Sequence, residues 1–324
     1  MTNYSVEGRN KTIEEFTKEL VDEIKSAVEH RYGFSVNPEA TMVLKNNGEQ
    51  KALIMRIADN DRIAPTIYTE DLYRDFLFGK DIPDIADQVG KVVYNAHVNS
   101  PELPKLTAEE AMENITLTLA NTKMNKKLLE NTPHFEILDG ELSAVPRWYI
   151  SDVESFVVSN EVAGSMGLTS DEVLQIGQHH IDGQTYTVRT MQEVLSEMMG
   201  EEIPPMECPP LYVVTSENRI QGSNALLSHS TLDEVHQKIG DCVILPSSVH
   251  ELLLLPVDKN MNPDDLRAMV HGVNISEVRP EERLSDQIFH FDGQKLRLVG
   301  DTLDMAEPQI EAPKMDSHRM SIAM

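Results

Sequence analysis

Residues 41–57 read TMVLKNNGEQKALIMRI. Two β-like runs, 41–45 and 51–57, flank Asn46, Asn47 and Gly48, residue types that tolerate the positive φ a tight reversal needs. This is a hairpin pattern, and it decides the fold class, because a tight turn joins antiparallel strands whereas parallel strands need a long crossover. The far end of the chain repeats the pattern: 287–291 and 295–299 are joined across Asp292 and Gly293, the strongest turn signal in the sequence.

Working outward, the hairpin is preceded by an amphipathic helix. Thr12 is its cap, Glu15 stands at capping-box spacing, Ile13, Phe16, Leu20, Ile24 and Ala27 share one face, and Gly33 ends it. After the hairpin come a strand at 64–68 and helices at 70–78 and 82–96, with Pro83 tolerated in a first turn. Residues 108–113 read as helix, 115–120 as strand and 125–131 as a short helix. Residues 141–150 hold the only Trp, Trp148, and read as a strand that Pro146 should confine to an edge or a bulge. Helices follow at 171–178, capped by Thr169 and Ser170, and at 190–199, closed by Gly200.

The stretch 203–210 carries four prolines and cannot continue a helix or a central strand. Beyond it, strands are expected at 211–215, 242–245 and 251–256, and helices at 232–239 and at 263–271, the latter with Asn262 as cap and Pro263 at the first position. The architecture predicted is α+β: short antiparallel sheets and hairpins interleaved with helices, divided into two subdomains. Residues 1–200 form an N-terminal α+β region, 201–210 a proline-rich connection, 211–299 a C-terminal α+β region, and 300–324, without periodicity, a disordered tail.

Composition narrows the function. The 324 residues are 40% hydrophobic, enough for a substantial core, and 54 Asp and Glu against 28 Lys and Arg give a net charge of -26. That charge repels nucleic-acid phosphates and anionic membranes, so neither is expected as a partner. Two cysteines, Cys208 and Cys242, allow no disulfide framework and fit a reducing cytoplasm. The first ten residues lack the apolar core of a signal peptide, and the longest apolar run, around 252–255, is too short to span a bilayer.

One segment concentrates chemistry at a junction between apolar runs: Leu245-Pro246-Ser247-Ser248-Val249-His250-Glu251. Ser247 or Ser248 with His250 and Glu251 is the candidate catalytic set of a hydrolase, although no glycine flanks either serine as a nucleophile elbow requires. Read structurally, a serine caps a turn there and His250 is an ordinary strand residue. Ser223 and Asn224, on a polar turn, are candidate ligand-binding residues that with the Ser247 junction would line a small-molecule pocket. No metal site is expected, since His179 and His180, His229 and His236, and the two cysteines lack convergent spacing. No cofactor is expected either, because neither GxGxxG nor a Gly-Lys-Ser/Thr phosphate loop occurs. Asp71 with Asp75 and Asp264 with Asp265 read as solvated surface, and Met191, Met198, Met199 and Met206 as an adaptable partner face or core filler.

Four phrases in order carry a resemblance: Val43-Leu44-Lys45-Asn46-Asn47-Gly48, Ala64-Pro65-Thr66-Ile67-Tyr68, Leu211-Tyr212-Val213-Val214-Thr215, and Ile244 through Glu251. Over approximately residues 12–299 the chain resembles a domain-of-unknown-function family of anaerobic, low-GC Gram-positive bacteria. The resemblance implies a bacterial cytosolic setting and an association with mobile or accessory genes; it implies no activity and no catalytic residue. Two function readings remain from the residues: a non-catalytic binding or interaction protein for a protein or small molecule, and the hydrolase.

Overall fold

Helix α1 (Ile13–Tyr32) starts at the expected capping box, where Thr12 Oγ1 accepts from Glu15 N–H at 3.3 Å and Glu15 Oε2 accepts from Thr12 N–H at 2.9 Å. Two orphan helix donors are thereby satisfied. The computed structural model describes residues 11–57, 64–99, 105–151, 154–204, 210–246 and 248–300. Ser247, Cys208 and the expected tail from 301 lie outside the described residues.

The α1 face made by Phe16, Leu20, Ile24 and Val28 is fully buried. It packs with strands β1 (Val36–Lys45), β2 (Gly48–Ile57) and β3 (Thr66–Tyr68) and helices α2 (Thr69–Leu77) and α3 (Ile82–Val98) into one apolar cluster. The β1–β2 hairpin is longer and tighter than the sequence pattern indicates: Lys45 pairs with Gly48, leaving a two-residue turn in which Asn47 takes φ 65. Asparagine tolerates this left-handed conformation, so Gly48 is free to join the strand.

The chain continues through α4 (Ala108–Asn114), β4 (Ile115–Asn121), α5 (Lys126–Leu129), β5 (Phe135–Ile137), β6 (Leu142–Tyr149), β7 (Ser155–Val157), α6 (Asn160–Ser165) and α7 (Ser170–Gly183). Here the sheet order is β4-β6-β5, with β7 also on β6. Strand β6 is therefore central, against the expectation that Pro146 would place it at an edge or bulge. The reason is local: β5 pairs with Leu142–Ala144 and β7 with Arg147–Tyr149, so Pro146 faces the gap between them, where its carbonyl accepts from Val158 N–H at 3.0 Å and no N–H is required.

A third, fully antiparallel sheet has the order β13-β12-β10-β11-β9-β8. Its strands are β8 (Tyr186–Thr190), β9 (Tyr212–Ser216), β10 (Cys242–Leu245), β11 (Leu252–Pro256), β12 (Phe289–Phe291) and β13 (Leu296–Leu298), accompanied by α8 (Met191–Met199), α9 (His229–Ile239) and α10 (Pro263–Ser276). Strand β8 pairs with β9, so strands on either side of the 201–210 connection share one sheet. The β12–β13 loop holds four residues rather than two, because Asp292 Oδ1 accepts from Gln294 N–H at 2.9 Å and Lys295 N–H at 2.7 Å and so organises a longer turn. The architecture is α+β, as the interleaved hairpins and helices indicate. Among the described residues no helix is long and apolar enough to cross a membrane.

One core cluster unites the second and third sheets, drawing Leu117 and Leu142 together with Val188, Ile244 and Phe289. Cys242 sits in it with no exposed surface, and burial pushes its thiol up to about 12. A thiol raised in the folded state contributes stability that is present below its unfolded pKa of about 8.5 and is lost as pH climbs from there towards 12. Iodoacetamide at pH 8 should leave Cys242 unmodified in the native protein and alkylate it in guanidinium, as read by peptide mass spectrometry. Native-state alkylation would contradict its packing.

Candidate functional site

The junction between β10 and β11 is held by main-chain bonds on both sides. Ser248 bridges Arg283, Val249 N–H donates to Glu282 O at 2.9 Å, and Ser285 N–H donates to Pro246 O at 3.2 Å. On the other side lies a 3₁₀ segment, Gly222–Leu227, whose Gly222 and Ser223 N–H groups donate to His250 O and Val249 O at 3.1 and 3.2 Å. Thr215 Oγ1 adds a third bond, to His250 O at 2.8 Å.

This scaffold fixes the His250 ring. Gln221 N–H donates to His250 Nδ1 at 3.4 Å, and His250 Nε2 stands 3.7 Å from Glu282 Oε1. With Nδ1 accepting, a neutral ring carries its proton on Nε2, towards the carboxylate. Ser248 Oγ accepts from the His250 main-chain N–H at 3.0 Å instead of meeting the ring, and Glu251 points to solvent. Among the described residues no serine hydroxyl is hydrogen-bonded to the imidazole.

Ser223 and Asn224 are buried beside this junction, in different roles. Asn224 behaves as a piece of strand: its Nδ2 donates to Leu117 O at 2.8 Å and its Oδ1 accepts from Leu119 N–H at 3.2 Å, which satisfies the free edge of β4. Ser223 Oγ is buried with no partner among the described residues.

A cavity of about 200 Å³ opens where the β1–β2 hairpin tip, sheet β4-β6-β5 and the junction meet. Its walls combine apolar residues, including Leu119, Val145 and Val249, with a polar lining of Lys45, Asn46, Thr118, Arg147, Gln221, His250, Glu281 and Glu282. The hairpin tip is latched in place: Asn47 Nδ2 donates to Pro280 O at 2.9 Å and Arg283 O at 2.6 Å, Asn46 Nδ2 donates to Glu281 O at 2.7 Å, and Asn47 and Asn125 exchange two bonds of 2.8 Å. A neighbouring cavity of about 350 Å³ shares Gln221 and adds Thr116, Tyr149 and Asn224.

Arg147 is the anomaly of the site. It projects from β6 beside Trp148, is half-buried, and its Nη1 is buried without a partner. No carboxylate pairs with it among the described residues, and burial pushes its guanidinium below the ordinary value, with Tyr149 the one group acting the other way. Arginine nevertheless stays charged in proteins, so the guanidinium sits in the cavity with no ion pair among the described residues, although Glu281 and Glu282 line the same space, an arrangement that costs several kcal/mol if nothing compensates it. Two acceptors lining the same cavity, Asn46 Oδ1 and Gln221 Oε1, are likewise buried and unpaired, each at a cost of about 1–3 kcal/mol. Gln221 also carries a left-handed φ of 56°, as does Arg219 at 60°, strain of the kind that concentrates at working sites.

Residues 13–293 match DUF5688, a family of unknown function. The chain belongs to that family. No curated protein and no solved structure matches it. The DUF5688 match takes in every side chain that lines the 200 Å³ cavity.

Sequence reasoning finds Val249 and His250 of this lining through the junction but not Arg147, Gln221, Asn46 or the Glu281-Glu282 pair. Arg147 had a signal, a lone cation inside the otherwise apolar strand LSAVPRWY; the rest did not. Asp71 and Asp75 are surface groups paired with Arg74 and Lys80 at 3.1 and 2.6 Å. Among the described residues no three His, Cys, Asp or Glu side chains converge as metal ligands, and His180 Nδ1 instead meets the Ile115 carbonyl. A larger groove of about 600 Å³ between α1 and the β1–β2 ribbon presents mainly apolar surface, flanked by Glu14, Lys18, Asp22 and Lys51, and contains none of the unpaired buried polar atoms.

Proposed function

We propose that this DUF5688 protein is a non-catalytic binding protein of the bacterial cytoplasm that takes a small anionic ligand in the cavity at Arg147. The observation that carries this reading is the Arg147 guanidinium, which lines the cavity with a buried, unpartnered Nη1 and no ion pair among the described residues. A bound carboxylate or phosphate supplies the missing charge through a charge-assisted, bidentate contact, the recognition mode arginine favours. The chain's net charge of -26 gives such an anion no long-range attraction, so selectivity rests on the local cation and the shape around it. The acidity and two-cysteine content support the cytoplasmic setting.

The hydrolase alternative, with Ser247 or Ser248 as nucleophile, needs His250 to accept a hydroxyl proton. In this geometry Gln221 N–H donates to Nδ1 at 3.4 Å, and no serine hydroxyl among the described residues meets the ring. Binding is therefore preferred over catalysis.

The test is a thermal-shift and calorimetric titration of the full chain with acetate, propionate, leucine and inorganic phosphate, against chloride at equal ionic strength. At a hundredfold excess over Kd, binding should stabilise the fold by about 2.7 kcal/mol, and Arg147→Gln should abolish the response. Equal responses from wild type and variant, or none from wild type, would refute the reading.

A further inference from the structure

The cavity is not simply cationic. Among the described residues Arg147 lies in it with no carboxylate partner, while Glu281 and Glu282 line it from the 3₁₀ turn Pro280–Glu282 and make no ion pair with Arg147. Among the described residues the Glu282 carboxylate has His250 as its ion-pair partner, at 3.7 Å, and both side chains keep about a third of their surface exposed. The unpaired atoms sort in the same way. Arg147 Nη1 is a donor awaiting an acceptor, whereas Asn46 Oδ1 and Gln221 Oε1 are acceptors awaiting donors.

A plain anion answers only the first of these needs. A molecule that bears both a carboxylate and an ammonium answers all of them: the carboxylate neutralises Arg147, and the three N–H donors of an ammonium meet the side-chain carbonyls and the glutamates. Beside the polar Lys45 and Thr118, the remaining walls are apolar, among them Leu44, Leu119, Leu128, Val145, Val157 and Val249, which favours an apolar side chain on the ligand. The volume of about 200 Å³ exceeds the ~150 Å³ cavity that admits benzene, so a molecule of amino-acid size fits.

We infer that the cavity between the β1–β2 hairpin tip, Arg147 of β6 and the Glu281-Glu282 turn is a site for a free amino acid with an apolar side chain. This rests on the anion-binding reading and narrows it. The hairpin tip supplies Asn46 and is latched through Asn47, so occupancy should also tighten the contact between the hairpin and residues 280–283.

The experiment is calorimetric titration of the full chain with each of the twenty standard amino acids. For each binder the deaminated carboxylate and the decarboxylated amine are titrated as well; for leucine these are 4-methylpentanoate and 3-methylbutylamine. The expected result is an apolar amino acid that binds about tenfold or more tightly than its deaminated carboxylate, a margin of about 1.4 kcal/mol, with the amine weaker still. A Glu281→Gln, Glu282→Gln double variant that keeps the wild-type circular dichroism spectrum should close that margin to within about threefold, the equivalent of about 0.6 kcal/mol. If the carboxylate binds as well as the amino acid, the amino-acid assignment falls and the anion site stands. If no amino acid, carboxylate or phosphate binds, both fall.

Discussion

Gly222→Ala is expected to remove about 3 kcal/mol of folding stability, at the upper end of what overpacking costs. A Cβ at this position would stand 2.3 Å from His250 O and 2.6 Å from both Cα and Oγ1 of Thr215. Two of those three atoms belong to main chains that are themselves anchored. Gly222 N–H is bonded to His250 O, and Thr215 lies in β9, where it pairs with Thr187 of β8. The segment cannot retreat without giving up the bonds from Gly222 and Ser223 to the junction, so the His250 and Gln221 arrangement should be lost together with the stability. Urea unfolding checks the first effect, and the His250 imidazole resonances in proton–nitrogen spectra check the second. A variant within about 0.5 kcal/mol of wild type, the range of an ordinary surface change, would show that the two chains are not held in contact.

Asn224→Ala should cost about 2–6 kcal/mol. The side chain is 1% exposed and serves both a carbonyl and an N–H of β4; truncation leaves two buried main-chain groups unsatisfied, at about 1–3 kcal/mol each. Asn224→Asp should be no rescue, since a carboxylate cannot donate to Leu117 O. The diagnostic is site-specific: hydrogen exchange at the Leu119 amide should accelerate relative to other buried amides of β4. Unchanged protection at Leu119 would mean the β4 edge is closed by something else.

Much of the secondary structure is legible from short-range chemistry. Thr12 with Glu15 at the start of α1 and Asn262 with Pro263 at the start of α10 are signals contained within a turn of chain, and the structure places both helix starts there. The strands β5, β7 and β8 were not legible. Each is three to five residues long, without the flanking hairpin or apolar run that marks the equally short β12 and β13, and each exists because a partner strand supplies its ladder. Pro146 misleads for a related reason: its missing N–H matters only if something lies opposite, and the break between β5 and β7 is a tertiary fact.

The site follows the same rule. The junction at His250 is visible as polar residues between apolar runs, and Val249 and His250 do line the cavity. Its counterparts stand at positions 46, 147, 221, 281 and 282, brought together by the hairpin latch, the centre of one sheet and a left-handed turn at Gln221. Spacing along the chain carries no trace of that convergence. The one residue that stood out, Arg147 in an apolar strand, is legible only to a reader who asks what a buried cation is for.

That question can be put to the protein directly by comparing the unfolding of Arg147→Met with wild type, each with and without the anions of the binding test. Methionine keeps the length and apolar stem of the side chain and removes the unpaired charge. If Arg147 is held for a ligand, the ligand-free variant should be more stable than wild type by about 1–3 kcal/mol, the order of the gain when buried ionic groups are replaced by apolar packing, and its Tm should no longer respond to carboxylates or phosphate. A variant that is less stable than wild type and still responds to anions would contradict the account.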